Sequence, residues 1–373
     1  MTNAPQNNSS RWTEKAANDW YKAQPLLMGA NYVPASASNQ IEMWQKDTFN
    51  IAEIDKELGW AKNLGMNTMR VFLHDLVWQE DAEGYKQRLE QFLQVAEKHG
   101  IKPLFVLFDS VWNPAPHTGP QEEPAFGVHN AGWVQGPGAA VLQDASQHGR
   151  LKDYVEGVVG AFAQDKRVLG WDVWNEPDNE NGASYGSKEA ANKIALVAPL
   201  LDKVFDWARS VSPAQPLTSG VWIGEWDNIN AVNEVQQVQL KQSDIITFHN
   251  YAPADDFERR VKYLAENNRP LLCTEYMARP AGSTFEAILP VAEKHNIGLY
   301  NWGFVQGRTQ THLPWDSWQK PYDQAPPPVW FHEILKADGS PYRDAEADLI
   351  KNYNQRNAKA TPAPASTPKF KLG

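Results

Sequence analysis

Two glutamates follow short apolar runs of the kind that forms buried β-strands. Glu176 comes just after the run Val168–Trp174, and Glu275 ends the run Pro270–Glu275. Two facing carboxyl groups can cleave a glycosidic bond, because one donates a proton to the leaving oxygen while the other attacks the anomeric carbon. Such an attack requires the two groups to lie about 5–5.5 Å apart. We therefore predict that these two glutamates form a catalytic pair.

Other polar and aromatic residues lie within or just after further apolar runs. They are Arg70, Asp109, Trp112, Asn175, His249, Tyr251 and Trp302. If these runs are the strands of a parallel α/β barrel, the groups at their carboxyl ends form the active site. An arginine there would keep a nucleophilic carboxylate ionised, and His249 and Tyr251 could orient the carboxylates by hydrogen bonding. The alternative is purely structural: an ion pair in the barrel mouth and a buried, hydrogen-bonded histidine.

The elements that must position these residues alternate regularly along the chain. The predicted strands are Leu26–Asn31, Thr68–Leu73, Pro103–Phe108, Val168–Trp174, Pro216–Val221, Ile245–His249, Pro270–Glu275 and Ile297–Trp302. The predicted helices are Ile51–Leu64, Tyr85–His99, Leu151–Gln164, Lys188–Ser210, Asn228–Leu240, Asp255–Asn267, Thr284–His295 and Val329–Lys336. Eight such units predict an α/β fold, a single-domain (β/α)8 TIM barrel. The alternative, an open doubly wound sheet, would normally carry a glycine-rich phosphate loop after its first strand, and none is present here.

Two long connections stand out against this regular alternation. They are Asp109–Gly149 after the third strand and Gly303–Pro328 after the eighth. Loops of this length in a compact domain are often functional. Several of the sixteen tryptophans lie in loop contexts, among them Trp112, Trp315 and Trp318, and exposed aromatic rings suit the apolar face of a sugar. A bulky loop after the third strand could close one end of a cleft, which would favour exo action or short substrates.

The segment Trp174-Asn175-Glu176-Pro177 resembles the Asn-Glu-Pro signature of glycoside hydrolase family 5 and its clan A relatives. Thr274-Glu275-Tyr276 is similar to the family's nucleophile segment. The resemblance implies that Glu176 is the acid/base, that Glu275 is the nucleophile, and that Asn175 contacts the sugar 2-hydroxyl. It also implies a retaining β-glycosidase acting on β-glucan, β-mannan or β-xylan types of substrate. A transglycosylase using the same site, or a carbohydrate-binding barrel without activity, remains open as an alternative.

Three further motifs carry the resemblance. Phe248-His249-Asn250-Tyr251 resembles the family's His-x-Tyr segment, Arg70 its strand-two arginine, and Trp302 its sugar platform after the eighth strand. The chain departs from the family near the third strand, where many members have a histidine near this strand or the fourth. Here Phe108-Asp109-Ser110-Val111-Trp112 follows instead, which leaves Asp109 and Trp112 to shape the subsite differently.

Net charge and hydrophobic patterning restrict the kinds of molecule that this protein is expected to bind. A net charge of −10 argues against a nucleic-acid binder, and no apolar run is long enough to span a membrane. We expect a carbohydrate substrate and neither a metal nor an organic cofactor. The stretch Thr2–Arg11 is polar and lacks the apolar core of a secretory signal, so none is predicted in this chain. We predict an N-terminal extension over residues 1–24, the catalytic barrel over 25–356 and a flexible tail over 357–373.

Overall fold

The computed structural model describes residues 10–228 and 230–358, and within these ranges eight parallel strands form one sheet. The strands are β1 (Met28–Tyr32), β2 (Thr68–Phe72), β3 (Lys102–Asp109), β4 (Gly170–Asn175), β5 (Leu217–Thr218), β6 (Ile246–His249), β7 (Leu271–Tyr276) and β8 (Gly298–Asn301). Each predicted strand is present, although β5 is much shorter than predicted. Almost every strand residue is buried, as expected for strands covered on both faces.

The sheet curves into a barrel. Its strand order is β5-β4-β3-β2-β1-β8-β7-β6, so β1 pairs with both β2 and β8. The two end strands, β5 and β6, meet through an isolated parallel bridge between Val221 and Phe248. Two backbone hydrogen bonds support this contact: Val221 donates to Thr247 at 3.1 Å and His249 donates to Val221 at 3.0 Å. The predicted (β/α)8 barrel is confirmed.

Helices surround the barrel and connect its strands. They are α1 (Glu14–Lys22), α2 (Gln40–Trp44), α3 (Ile51–Asn63), α4 (Asp75–Lys98), α5 (Ala139–Gln143), α6 (His148–Ala161), α7 (Lys193–Ser210), α8 (Glu234–Gln242), α9 (Ala254–Ala265), α10 (Phe285–His295) and α11 (Asp344–Ala358). Local signals fix several ends. For example, the side chain of Asn233 caps α8 in a capping box with Gln236, so α8 begins later than its apolar spacing alone suggests.

The predicted eighth helix, Val329–Lys336, is wrong. This segment is irregular. The guanidinium of Arg279 donates hydrogen bonds to three of its carbonyl groups, those of Trp330, His332 and Glu333, at 3.1, 2.9 and 2.6 Å. These carbonyls are therefore not available for a helix. The eighth outer helix is α11, whose Asn354 side chain donates to the Leu64 carbonyl at the end of α3. Consequently the irregular stretch after β8 extends to residue 343.

The N-terminal helix α1 lies beneath the barrel, at the end opposite to the strand carboxyl termini. Its Ala17 and Tyr21 are buried in a cluster with residues from the barrel floor, among them Leu104 and Leu272. Because α1 covers this end, the accessible cavity lies at the carboxyl ends of the strands. The flexible tail predicted for residues 357–373 lies outside the described residues beyond Ala358, where α11 ends.

None of the helices in the described ranges combines the length and the apolar character needed to cross a membrane.

Candidate active site

A pocket of about 220 Å³ opens at the carboxyl ends of the strands and contains both predicted glutamates. Seven of the nine predicted site residues line it: Asp109, Trp112, Asn175, Glu176, Tyr251, Glu275 and Trp302. Arg70 and His249 are fully or almost fully buried and contact this lining from within the barrel. The strand ends therefore bring all nine residues to one site, as the barrel rule predicts.

The two glutamates face each other across the pocket floor. A carboxylate oxygen of Glu176, a ring nitrogen of His249 and a carboxylate oxygen of Glu275 all lie within 4.8 Å of one another. Glu176 has a φ of 43°, in the left-handed region, directly after β4. Non-glycine residues rarely adopt this conformation, and such strain concentrates at functional sites. The backbone thus turns sharply where the Glu176 side chain enters the pocket.

Glu275 is held by a cation and a hydroxyl group. Nη1 of Arg70 lies 3.1 Å from its Oε1, and the Tyr251 hydroxyl donates to its Oε2 at 2.8 Å. Burial raises the pKa of Glu275 to about 6 and the neighbouring Glu176 adds to the rise, while the Arg70 charge and the Tyr251 hydrogen bond oppose it. Glu275 is therefore ionised near neutral pH, as a nucleophile must be.

Glu176 has a different environment. Its Oε1 lies 2.9 Å from Nδ1 of His249, and Asn179 donates to its Oε2 at 2.8 Å. Burial raises the pKa of Glu176 to about 7, and the nearby Asp178 charge adds to the rise. Burial also lowers the pKa of His249 to about 4, so this histidine is neutral and contacts Glu176 by hydrogen bonding. A carboxyl group of this kind can hold a proton near neutral pH and release it.

A buried polar network fixes the arginine. Nη2 of Arg70 donates to Asp172 and Asn175, both at 2.7 Å, and Nη1 donates to Asn31 at 2.9 Å. The amide of Asn175 donates in turn to Oδ1 of Asp109 at 3.0 Å. The orientation of Asn175 is therefore set from both sides, with its side chain on the pocket wall.

Asp109 supports the wall from the end of β3. Besides Asn175, the indole of Trp133 donates to its Oδ2 at 2.6 Å, and the backbone of Val111 donates to its Oδ1 at 3.0 Å. Burial raises its pKa to about 7. Trp112, three residues later, has a φ of 70° and places its ring against the pocket. Asp109 and Trp112 therefore occupy the end of β3, near which the family resemblance implies a histidine in many members.

Trp302 directly follows β8 and lies half-buried in the pocket wall. Its ring meets those of Phe72 and Trp133 edge-on, with centroid distances of 6.0 and 6.4 Å. Edge-to-face packing of this kind fixes the orientation of an aromatic ring. Trp302 thus offers a rigid apolar surface beside the glutamates.

Several residues that complete the site are not among the nine predicted site residues, although Trp315 is one of the loop tryptophans expected to suit a sugar. The pocket also contains His129, Trp133, Asn179, Trp222 and Trp315, while Asn31 and Asp172 contact Arg70. Asp172 could have been found, because a charge inside an apolar strand needs a partner and alternate strands of a barrel share an interior layer. Arg70 in β2 and Asp172 in β4 satisfy this rule. Asn31 lies within β1, and the others lie on loops, whose course the apolar pattern does not define.

A (β/α)8 barrel in which a glutamate directly after strand four faces a glutamate near the end of strand seven defines the class of the protein as a glycoside hydrolase. The chain matches the model of the family described as cellulase (glycosyl hydrolase family 5) over residues 28–320. The chain belongs to glycoside hydrolase family 5, and the resemblance predicted from its motifs is confirmed.

Solved structures share the fold at low sequence identity. A GH5_18 protein from Streptomyces cattleya in complex with GlcNAc is 14% identical, with 92% of this chain and 82% of that chain covered and a TM-score of 0.60. An exo-β-1,4-mannosidase from Opitutaceae bacterium strain TAV5 is 19% identical, with 98% and 64% covered and a TM-score of 0.61. A β-mannanase from the blue mussel Mytilus edulis is 16% identical, with 78% and 89% covered and a TM-score of 0.53. Curated proteins gave no significant sequence match.

Proposed function

We propose that this glycoside hydrolase cleaves β-linked glycosides with retention of anomeric configuration. Glu275 is the nucleophile and Glu176 the acid/base. The observation that carries the proposal is the unequal environment of two carboxyl groups whose oxygens approach within 4.8 Å. Glu275 is paired with Arg70, whereas Glu176 contacts the amide of Asn179. The neutral His249 lies closer to Glu176, at 2.9 Å, than to Glu275, at 3.4 Å. Environments that separate the protonation of two carboxyl groups assign acid and nucleophile roles.

The reaction then proceeds in two displacements. In the first, the Glu275 carboxylate attacks the anomeric carbon while Glu176 gives its proton to the glycosidic oxygen, so that the carbon–oxygen bond breaks and a glycosyl ester of Glu275 forms. In the second, Glu176 removes a proton from water as the water oxygen attacks the same carbon. The ester bond breaks, the sugar leaves, and both carboxyl groups return to their starting states.

The surrounding residues support binding of a pyranose. The rigid face of Trp302 suits the apolar side of a sugar ring, and the Asn175 amide lies beside Glu176 where the family resemblance expects the 2-hydroxyl. Among β-glucosides, β-mannosides and β-xylosides, we rank β-mannosides first for testing. Several structural neighbours are mannosidases or mannanases, and a GH5_18 neighbour from Streptomyces cattleya is in complex with Manβ1-4GlcNAc.

The anomer of the first product tests the mechanism. Hydrolysis of para-nitrophenyl β-mannoside, β-glucoside and β-xyloside is followed by NMR, and the β-anomer of the released sugar is expected first. Glu275→Gln should lose several orders of magnitude in activity, because an amide cannot act as the nucleophile. First appearance of the α-anomer, or near-normal turnover by Glu275→Gln, would contradict the proposal.

A further inference from the structure

The loops after β3 and β8 meet above the barrel. The backbone of His129 donates to Oγ of Ser317 at 2.8 Å, and its Nδ1 contacts the Leu313 carbonyl at 2.9 Å. The rings of Trp112 and Trp318 stack with centroids 5.0 Å apart and an interplanar angle of 17°. In the sheet order, β1 and β2 separate β8 from β3. Contacts between these two loops therefore pass over the part of the barrel mouth formed by β1 and β2. We call segments 110–138 and 303–341 the roof.

The roof is also attached to the loop after β4. The side chain of Gln319 donates to the Ala183 carbonyl at 2.7 Å, and the ring of Tyr185 meets that of Trp318 edge-on at 5.4 Å. Beneath these contacts His129 and Trp133 are almost completely buried. Side chains that are buried and hydrogen-bonded form a fixed wall. The pocket is therefore closed along the arc from β8 through β1 and β2 to β4.

The roof also contacts residues after β6 and β7, because Trp315 meets Tyr251 and the backbone of Arg279 donates to the Phe331 carbonyl. The side that it leaves open lies beside β5, between Trp222 and the edge of the roof at Trp315. Trp222 follows β5, lies half-buried in the pocket wall and donates its indole N–H to Asp178 at 2.6 Å. Its neighbour Ile223 is 46% exposed. Trp315 is 38% exposed and meets the ring of Tyr251 edge-on at 4.9 Å. These tryptophans form the rim of the open side.

The proposed chemistry indicates which side of the pocket holds the leaving group and which side holds the attacked sugar. Glu176 protonates the leaving oxygen, so the departing group lies on its side of the pocket, where Asp178 holds Trp222. The sugar that is attacked lies on the other side, against Trp302 and under the roof. The pocket volume of about 220 Å³ is below the range of roughly 300–1,000 Å³ typical of sites that enclose drug-sized ligands. A volume of this size suits one sugar ring.

We infer that the pocket accepts a single sugar at the non-reducing end of a chain, with the next residue lying on Trp222, so that the enzyme is exo-acting. This inference rests on the proposed function and adds to it the class of substrate: short oligosaccharides and chain ends. Interior linkages of a polymer are excluded, because cleaving them would require room for further sugars beyond the one that is attacked.

Capped oligosaccharides test the exo action. Mannohexaose and cellohexaose carry a fluorescent label at the reducing end, and a second set also carries a methyl ether on the terminal hydroxyl of the non-reducing end. The expected early products of the uncapped set are the free monosaccharide and labelled pentaose, whereas the capped set should be cleaved at least about a hundredfold more slowly. Labelled disaccharide or trisaccharide at early times, or equal cleavage of the capped set, would overturn the inference.

The aryl glycosides separate this inference from the proposed function. If para-nitrophenyl β-glycosides are cleaved with retention and capped hexaoses are also cut internally, the exo inference fails and the proposed function stands. If neither the aryl glycosides nor the uncapped hexaoses are cleaved, the proposed function fails and the inference fails with it.

The position of the leaving sugar is tested at Trp222. Trp222→Ala should lower kcat/KM for uncapped hexaose by about tenfold more than kcat/KM for the matching β-glycosyl fluoride, whose leaving group has no ring to stack. Trp222→Phe keeps an aromatic ring and should recover most of the difference. Equal losses on both substrates would show that Trp222 only positions Asp178, and would overturn its assignment to the leaving sugar.

Discussion

Nη1 of Arg70 lies 3.1 Å from Oε1 of Glu275, and this ion pair distinguishes the two glutamates of the pocket. Among the described residues, the ion-pair partner found for Glu176 is His249, which burial keeps neutral. A positive charge beside one carboxylate favours its ionised form. The arginine thus supports the proposed roles, in which Glu275 is the nucleophile and the proton stays on Glu176.

Replacement of the acid/base should affect the two displacements differently. In Glu176→Ala the first step still proceeds with an activated leaving group such as dinitrophenolate, but the second lacks its base, so turnover should fall by about 10²–10⁴-fold. Added azide needs no base and should restore turnover, giving the β-glycosyl azide. Glu275→Ala serves as the control, because azide would then replace the nucleophile and give the α-anomer. The same azide anomer from both variants would contradict the assigned roles.

The pH profile of kcat/KM should be bell-shaped and narrow. Glu275 must be ionised, so activity falls as the pH drops through about 6, and Glu176 must be protonated, so activity falls as the pH rises through about 7. Tyr251→Phe removes a hydrogen bond that lowers the pKa of Glu275, so the acidic limb should move to higher pH. Tyr263→Phe, on the outer helix α9, should leave the profile in place. An acidic limb that stays fixed in Tyr251→Phe would contradict the proposed role of this tyrosine.

Activity should not depend on a metal. Glu176, His249 and Glu275 offer atoms within 4.8 Å of one another, a spacing that could hold an ion. However, the guanidinium of Arg70 already lies on Glu275 and would repel a second cation. Dialysis against EDTA should therefore leave kcat/KM unchanged within error, and added Zn²⁺ or Mn²⁺ should not increase it. Loss of activity on chelation, with recovery on adding one metal, would show that the trio binds an ion.

The parts of this site that the sequence predicts are those attached to strands. The apolar pattern locates the carboxyl end of every strand except β5 to within one residue, and the barrel then fixes where residues such as Glu176, Glu275 and Trp302 lie. Trp222 and His129 belong to loops, whose position depends on packing between segments far apart in sequence. The wrong helix prediction at Val329–Lys336 has the same origin. The apolar spacing of this segment fits a helix, but Arg279, which is distant in sequence, forms hydrogen bonds with its carbonyl groups.

Arg279 should therefore matter for stability rather than chemistry. Its guanidinium donates twice to Glu346 of α11, at 2.9 and 2.6 Å, and both side chains are buried. Together with its bonds to three carbonyls, this joins the segment after β8 to the last helix. Arg279→Met would leave the buried Glu346 carboxylate with only the half-exposed Arg343, 3.4 Å from its Oε1. Breaking a buried pair in this way typically costs about 3–5 kcal/mol. Urea unfolding should show a loss of this size.

The matched control for this prediction is Arg356→Met on α11, the helix that also carries Glu346. Arg356 pairs with Glu293 at 3.1 Å, but the two side chains are 56% and 38% exposed. Exposed pairs contribute about 0–1 kcal/mol, since water screens the charges and the side chains lose freedom when they pair. The free energy of unfolding should therefore fall several times more in Arg279→Met than in Arg356→Met. Equal losses in the two variants would mean that Glu346 finds another partner or water, and that Arg279 does not hold α11 to the barrel.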